Sequence, residues 1–194
     1  MQKKNALKIL GVIVAIGAIL YSWNAQLIPK PTIFPQYHAA FTLEGKEGSV
    51  SLKDFQGDVR IVFFGYTHCP DICPTTLNRI ANALHALNQA QRQHVKAFFI
   101  SIDPNRDSPT QASEYATYFH PNIIGLSGNK NQIEQAQAAF RSSSENDPID
   151  ENGHYSINHD TLIYIIKPDG TMGSIEGHLS SEQQLTESII RWLP

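Results

Sequence analysis

Hydrophobic and polar positions follow two different patterns along the chain after residue 40. Short apolar runs rich in β-branched and aromatic residues are typical of buried strands, and apolar residues spaced three and four apart are typical of helices. The predicted strands are Arg60–Gly65, Ala97–Ile102, Ile123–Leu126, Thr161–Ile166 and Met172–Ile175. The predicted helices run from Cys73 to Leu87, from Ser108 to Phe119, from Asn131 to Phe140, and from a cap at Ser180 or Ser181 to Leu193.

The order of these elements predicts an α/β fold. Alternating strands and helices favour a central, mixed but mostly parallel sheet flanked by helices. A short hairpin around Gly45 and Gly48 precedes the sheet, and the turn at Pro168-Asp169-Gly170 adds a late antiparallel pair. Residues 141–158 form a polar stretch, which we interpret as a long functional loop inserted into the domain and expect to be mobile without metal.

The N-terminal residues carry a different pattern. Lys3, Lys4 and Lys8 precede an apolar run from Ile9 to Tyr21, which extends more weakly to about the length of a membrane-spanning helix. We expect residues 1–28 to form one transmembrane anchor, 29–40 a proline-containing linker and 41–194 the exported domain, since the lysines remain in the cytoplasm. A cleaved signal peptide is the alternative, but small residues are missing where cleavage needs them.

Composition narrows the class of protein. An apolar fraction of 41% supports a real core, and a net charge of −3 without a basic block argues against nucleic acid as a partner. Two cysteines are too few for a disulfide-rich scaffold.

Both cysteines, Cys69 and Cys73, lie where a buried strand turns into a helix. Amides at a helix N-terminus favour thiolate over thiol, and ligands bind at the carboxyl ends of strands in such sheets. The spacing of four allows both sulfurs to converge in a structural disulfide, a redox pair or a metal site. Thioredoxin-type redox motifs have two intervening residues, whereas this one has three.

A third ligand would distinguish a metal site from a disulfide. His159 is the best-placed histidine because it follows the long loop and precedes the Thr161 strand. Two thiolates and one imidazole suit Cu(I), whereas zinc requires a fourth ligand. An ordinary surface histidine is the competing interpretation. His68 is interpreted either as a spare ligand or as a group that lowers a thiol pKa, and the second role, or no role, is favoured. The remaining histidines are expected to be solvated: His38, His85, His94, His120, His154 and His178.

Two carboxylates, Asp103 and Asp107, follow the second buried strand. Their position puts them on the same side of the sheet as the cysteines. We interpret them as turn, capping or partner-docking residues rather than metal ligands, with Asp107 or Ser108 as the helix cap.

Together these motifs resemble the Sco/SenC family of copper chaperones over about residues 41–193. The residues that carry the resemblance are Phe64-Gly65-Tyr66-Thr67-His68-Cys69-Pro70-Asp71-Ile72-Cys73-Pro74, Ser101-Ile102-Asp103-Pro104 with Arg106-Asp107, and His159 before Leu162-Ile163-Tyr164 with Pro168-Asp169-Gly170.

The resemblance implies a thioredoxin-like fold and one copper ion, Cu(I) or Cu(II), bound by Cys69, Cys73 and His159. It implies delivery of copper to the dinuclear CuA centre of cytochrome c oxidase, with the copper-centre subunit and other periplasmic copper chaperones as partners. The expected location is the inner membrane, as a monomer whose domain faces the periplasm. Asp160 departs from the small residue common after this histidine, and a carboxylate there would add negative charge beside the metal.

Four other functions are alternatives to copper transfer. In a thiol–disulfide reductase, or in a redox sensor, Cys69 and Cys73 would be the redox residues. An electron-transfer CuA domain would need a histidine where Leu77 stands, and a peroxidase would need a lone cysteine after a threonine motif.

Overall fold

A five-stranded mixed sheet forms the centre of residues 39–194, the part of the chain described by the computed structural model. The strands of this part are β1 Thr42–Gly45, β2 Gly48–Ser51, β3 Val59–Gly65, β4 Val95–Ser101, β5 Ile123–Leu126, β6 Ser144–Asn146, β7 Ile157–His159, β8 Ile163–Ile166 and β9 Met172–Glu176. The helices are α1 Ile72–Ala86, α2 Gln89–Gln93, α3 Pro109–Phe119, α4 Lys130–Phe140 and α5 Glu182–Ile190, with a 3-10 helix at Leu52–Phe55.

The sheet has the strand order β5-β4-β3-β8-β9. β3 pairs in parallel with β4, and β4 with β5, while β8 runs antiparallel to both β3 and β9. The predicted mixed sheet is therefore confirmed, with β8 as its one reversed strand. Gly65 pairs with Ser101, so the carboxyl ends of β3 and β4 lie at the same edge. The loops that follow these two strands are neighbours for that reason.

Two buried strands and a cluster of aromatic rings fix this edge. Every residue of β3 is buried, because the sheet is covered on both faces. The ring of Phe64 packs edge-on against Phe140 at 5.5 Å and Tyr164 at 6.1 Å. Each such aromatic pair contributes about 0.5–1.5 kcal/mol beyond its area burial. The strand that leads into the cysteine loop is therefore held firmly.

The predicted long loop is partly wrong, because residues within it form a hairpin. β6 pairs antiparallel with β7 in the register Ser144 with His159 and Asn146 with Ile157. All three residues of β6 are exposed, so its sequence has no buried positions to reveal a strand. β8 starts at Ile163 rather than at Thr161, and His159 ends β7 instead of following an irregular loop.

The structure does not describe the residues predicted to form the membrane anchor. Within residues 39–194, no helix is both long enough and apolar enough to cross a bilayer. The predicted anchor, residues 1–28, and all but the last two residues of the predicted linker fall outside the described residues.

Candidate metal centre

The sulfur of Cys69 sits where a capping side chain would normally sit at the start of α1. Asp71 occupies the N-cap position but its side chain makes no capping hydrogen bond. The backbone N–H of Cys73 instead donates to Sγ of Cys69 at 3.5 Å. A sulfur that accepts from a helix N-terminal amide gains stabilisation of its anionic form.

The two thiols are opposite in burial and acidity. Cys69 is half-buried and Cys73 is fully buried, and both are free thiols. A hydrogen bond from the Cys73 thiol, with backbone N–H groups of Cys73 and Asp71 and the nearby His159, lowers the pKa of Cys69 to about 5 against the effect of burial. The hydrogen bond to Cys69, and then burial, raises the pKa of the Cys73 thiol above its usual range.

The structure brings His159 to these sulfurs, as the sequence predicted. Its Nε2 lies 3.8 Å from Sγ of Cys73. Its Nδ1 lies 2.6 Å from the backbone carbonyl of Asp160. A carbonyl can only accept a hydrogen bond, so Nδ1 carries a proton and Nε2 is the ring nitrogen that faces the sulfur. Histidines that bind metals commonly have this second hydrogen bond.

The sulfurs of Cys69 and Cys73 and Nε2 of His159 are close together, but their present arrangement is not that of a coordination sphere. Among residues 39–194, no three His, Cys, Asp or Glu side chains are gathered tightly enough to hold a metal ion as they stand. The 3.8 Å between Sγ of Cys73 and Nε2 of His159 nevertheless fits a shared ion. Bonds of about 2.3 Å to sulfur and about 2.1 Å to nitrogen span that separation at an angle near ~120°. Two soft sulfurs and one imidazole suit Cu(I), whereas zinc would need a fourth ligand.

Gly65, the last residue of β3, makes room for the buried sulfur. A Cβ atom at this position would lie 2.8 Å from Sγ of Cys73 and 3.0 Å from the ring of Phe99. The glycine was part of the motif in the sequence, but its reason is visible only in the packing.

Asp107 holds the cysteine loop rather than capping a helix. Its buried carboxylate accepts from the backbone N–H of Thr67 at 2.8 Å, from Oγ1 of Thr67 at 2.5 Å and from Oγ of Ser101 at 2.6 Å. Ser108 is the N-cap of α3. Nδ1 of His68 faces the same carboxylate at 3.5 Å, so His68 belongs to this anchoring network and the main influence on the Cys69 pKa comes from Cys73.

Asp103 and two tyrosines form a second network beside the site. Asp103 accepts from the hydroxyl of Tyr155 at 2.7 Å and pairs with Arg106. The ring of Tyr66 meets the ring of His159 edge-on, with centroids 5.9 Å apart. The acidic motif is visible in the sequence, but roles for Tyr66 and Tyr155 are not, since their partners are about 50 to 90 residues away along the chain.

The structure gives Asp160 defined partners and corrects the expectation for His120. The carboxylate of Asp160 accepts from Oγ of Ser142 at 2.6 Å, from the N–H of Ser143 at 3.1 Å and from the hydroxyl of Tyr164 at 3.3 Å. It therefore ties the residues before β6 to β8, and its charge is spread over these donors. His120 was expected to be solvated, but it is buried with 3% of its surface exposed, and burial lowers its pKa.

Comparisons with known proteins agree with this fold. The SCO1/SenC family model matches residues 30–194. A mitochondrial SCO2 homologue from Danio rerio is 36% identical over 138 residues, which cover 71% of this chain and 50% of that relative. Across the first curated relatives, this chain spans between 50% and 60% of their length.

Solved structures give the same result. The apo Sco1 protein of Thermus thermophilus is 31% identical with a TM-score of 0.76, over 82% of this chain and 93% of that one. The ScoI protein of Bradyrhizobium japonicum, solved with copper bound, is 34% identical with a TM-score of 0.72, over 79% of this chain and 98% of that one. The fold is thus the Sco form of the thioredoxin fold, and the chain belongs to the SCO1/SenC family.

Proposed function

We propose that this protein binds one copper ion through Cys69, Cys73 and His159 and delivers it to the CuA centre of cytochrome c oxidase. The observation that carries the proposal is the position of the Cys73 sulfur, which contacts the Cys69 thiol and lies 3.8 Å from Nε2 of His159. The copper-bound relative from Bradyrhizobium japonicum supports the choice of metal. The oxidase as recipient follows from the family resemblance.

The geometry fits a carrier that must also release its cargo. Three donors leave copper with a low coordination number, so an acceptor thiolate can add before a donor leaves. Cys69 is the half-exposed donor and is already ionised at neutral pH, so it is the ligand that an acceptor reaches first. Cys73 must lose its proton when copper binds, which makes affinity fall as the pH falls.

Copper titration of the reduced full-length protein tests the proposal. We expect one copper per chain, no stoichiometric binding by Cys69→Ala or Cys73→Ala, and much weaker binding by His159→Ala. His154→Ala is the matched control, because His154 lies in the same hairpin loop with 80% of its side chain exposed. Undiminished binding by His159→Ala would remove the imidazole from the ligand set.

A thiol–disulfide reductase is the second candidate function, and the unequal thiols favour it. The Cys69 thiolate would attack one sulfur of a partner disulfide and form a mixed disulfide while the other partner sulfur leaves as a thiolate. Cys73 would then lose its proton, attack Sγ of Cys69 and release the second partner thiol. The partner gains two electrons, and Cys69 and Cys73 become a disulfide.

Reduction of an oxidised CuA domain by the metal-free protein separates the two functions. Copper delivery requires His159, whereas disulfide exchange requires only the cysteines. Efficient reduction that is unchanged in His159→Ala, together with weak copper binding, would make the reductase the main function.

We also infer that residues 1–28 anchor the protein in the inner membrane as a single span and that residues 41–194 face the periplasm. The lysines before the apolar run support this orientation. Labelling of Cys69 by an impermeant thiol reagent in intact cells tests it, and labelling only after lysis would contradict it.

A further inference from the structure

The guanidinium of Arg106 stacks on the ring of Tyr155 and also lies within cation–π distance of the ring of Tyr66. Its guanidinium carbon lies 3.6 Å from the ring centre of Tyr155 and 5.7 Å from that of Tyr66. Nη1 donates to the backbone carbonyl of Tyr155 at 3.0 Å, and Nε pairs with Asp103. The other oxygen of Asp103 accepts from the hydroxyl of Tyr155 at 2.7 Å. Arg106 and Asp103 therefore hold the ring, the hydroxyl and the backbone of Tyr155.

Tyr155 and Tyr66 connect this cluster to the proposed histidine ligand. Tyr155 lies two residues before β7, the strand that ends at His159. The hydroxyl of Tyr66 accepts from the backbone N–H of Ile157 at 3.4 Å, and its ring packs edge-on against the His159 ring. Tyr66 itself follows directly after β3. The cluster thus spans the gap between the cysteine strand and the histidine strand.

Apart from this cluster, the β6–β7 hairpin is held mainly at its base, where Asp160 accepts from Ser142 and Ser143 and where Ser144 donates to Gln137. β6 is exposed along its whole length, and Ile157 is the buried residue of the two strands. A two-stranded hairpin by itself is marginally stable in water. Contacts with its neighbours must therefore decide where β7 lies relative to the sulfurs. The turn after β4 supplies these contacts for both halves of the site. Arg106 and Asp103 hold the hairpin, and Asp107 holds the cysteine loop through Thr67.

We propose that Arg106 is a positioning residue, which sets the place of the His159 imidazole relative to the Cys73 sulfur. The proposal rests on the proposed function, since it gives His159 the role of a ligand. Arginine is required because a planar guanidinium can stack on an aromatic ring and still donate in its plane to a carbonyl and a carboxylate. Lysine keeps the charge but has no planar group, so it cannot make both kinds of contact at once.

Hydrogen exchange of the metal-free full-length protein tests the first half of this proposal. In Arg106→Lys, amides of residues 144–159 should exchange faster while those of β8 stay unchanged. Arg92→Lys is the matched control, because Arg92 also donates to a backbone carbonyl, that of Leu87 at 2.7 Å, at the opposite end of α1. Equal protection of residues 144–159 in both variants would overturn the proposal.

Copper affinity measured in a double-mutant cycle tests the second half. Arg106→Lys should weaken binding by about tenfold, as loss of a residue that orients a ligand does. Adding it to His159→Ala should weaken binding little further, because the imidazole it positions is already gone. Tyr155→Phe keeps the ring but loses the bond to Asp103, so it should shift affinity in the same direction by less.

The possible failures are distinguishable. Additive losses from Arg106→Lys and His159→Ala would show that Arg106 acts on general stability and would overturn the positioning role. Weak binding by His159→Ala with normal binding by Arg106→Lys would overturn this inference alone. Normal binding by His159→Ala would overturn the proposed ligand set and this inference with it.

Discussion

At the scale of single residues, the two thiols divide the work of the site between them. Cys69 lies half-exposed at the helix N-terminus, and Cys73 lies buried behind it. The helix N-terminus, the S–H group of Cys73 and the nearby His159 all stabilise a negative charge on the sulfur of Cys69. A second thiolate at Cys73 would be repelled by the first. The first thiolate therefore forms at the accessible sulfur, where both a metal and a disulfide would approach.

The lowered pKa of Cys69 predicts its reactivity. The thiolate persists down to about pH 5 and is protonated below it, so alkylation should be lost as the pH falls through that value. Iodoacetamide labelling of the reduced, metal-free protein, read by mass spectrometry, gives the midpoint. Cys73→Ser is the control, because its hydroxyl is a different donor to Cys69 and should shift the midpoint. A wild-type midpoint near the free-cysteine value of about 8.5 would contradict the prediction.

Gly65 is the second residue whose identity the site requires. In Gly65→Ala the new methyl group meets Sγ of Cys73 at 2.8 Å, so the sulfur must move. We expect a loss of stability of about 1–3 kcal/mol from overpacking and weaker copper binding. Urea unfolding and copper titration measure the two effects.

A second glycine provides the control for this substitution. A Cβ at Gly177 has no atom within 4 Å, so Gly177→Ala should leave stability and copper binding nearly unchanged. Equal behaviour of the two variants would mean that the sulfur has room to move.

At the scale of elements, the turn after β4 organises the site although it holds no proposed ligand. Asp103, Arg106 and Asp107 lie beside the cysteine loop because β3 and β4 are parallel and in register, Gly65 opposite Ser101. The turn contacts both the loop that carries Cys69 and the hairpin that carries His159. It therefore couples two halves of the site that are distant in the sequence.

Asp107→Asn should loosen the cysteine loop. The amide keeps the size of the side chain but cannot accept three hydrogen bonds with a full negative charge, so we expect a loss of about 1–3 kcal/mol in the free energy of unfolding and weaker copper binding. Asp54→Asn is the control, because Asp54 also accepts a backbone hydrogen bond, from Ser51 at 3.0 Å, but on the exposed 3-10 helix. Losses of equal size, with copper affinity unchanged in both variants, would show that Asp107 has no special role.

At the scale of the whole molecule, the proposed ligands join two segments that are far apart in the chain. Cys69 and Cys73 lie at the start of α1, and His159 ends β7, 86 residues after Cys73. An ion held by all three binds only the folded state strongly. Metal binding and global stability are consequently linked.

Copper should therefore raise the melting temperature of the reduced protein. At a free copper concentration of about 100 times Kd, copper binding should raise the free energy of unfolding by about 2.7 kcal/mol. Binding of copper to the thiols of the unfolded chain reduces this gain. For a chain of this size, each kcal/mol corresponds to about 2–4 °C. Differential scanning calorimetry at buffered copper concentrations measures the shift. His159→Ala should show a smaller shift, and an unchanged shift would mean that the two sulfurs alone carry the linkage.

The alternation of apolar runs in the sequence by itself determined most of the fold. β5 has the predicted bounds, and β3, β4, α3 and α4 differ from their predictions by at most two residues at either end. These elements have buried faces, and a buried face requires apolar residues at regular spacing in the sequence. The exposed strand β6 and the short helix α2 have no buried residues and escaped prediction for the same reason.

For the site, the sequence by itself determined the chemistry of the donors. Strand-to-helix placement and spacing identified the two cysteines, and position after a polar stretch identified His159, because such features depend on neighbours in the chain. Only the tertiary structure decided which groups orient those donors. The contacts of Arg106 with Tyr155 and Tyr66, the burial of Asp107 and the space at Gly65 all depend on contacts between distant segments. Such contacts leave no period or spacing in a single sequence, so they become visible when the strands are placed side by side.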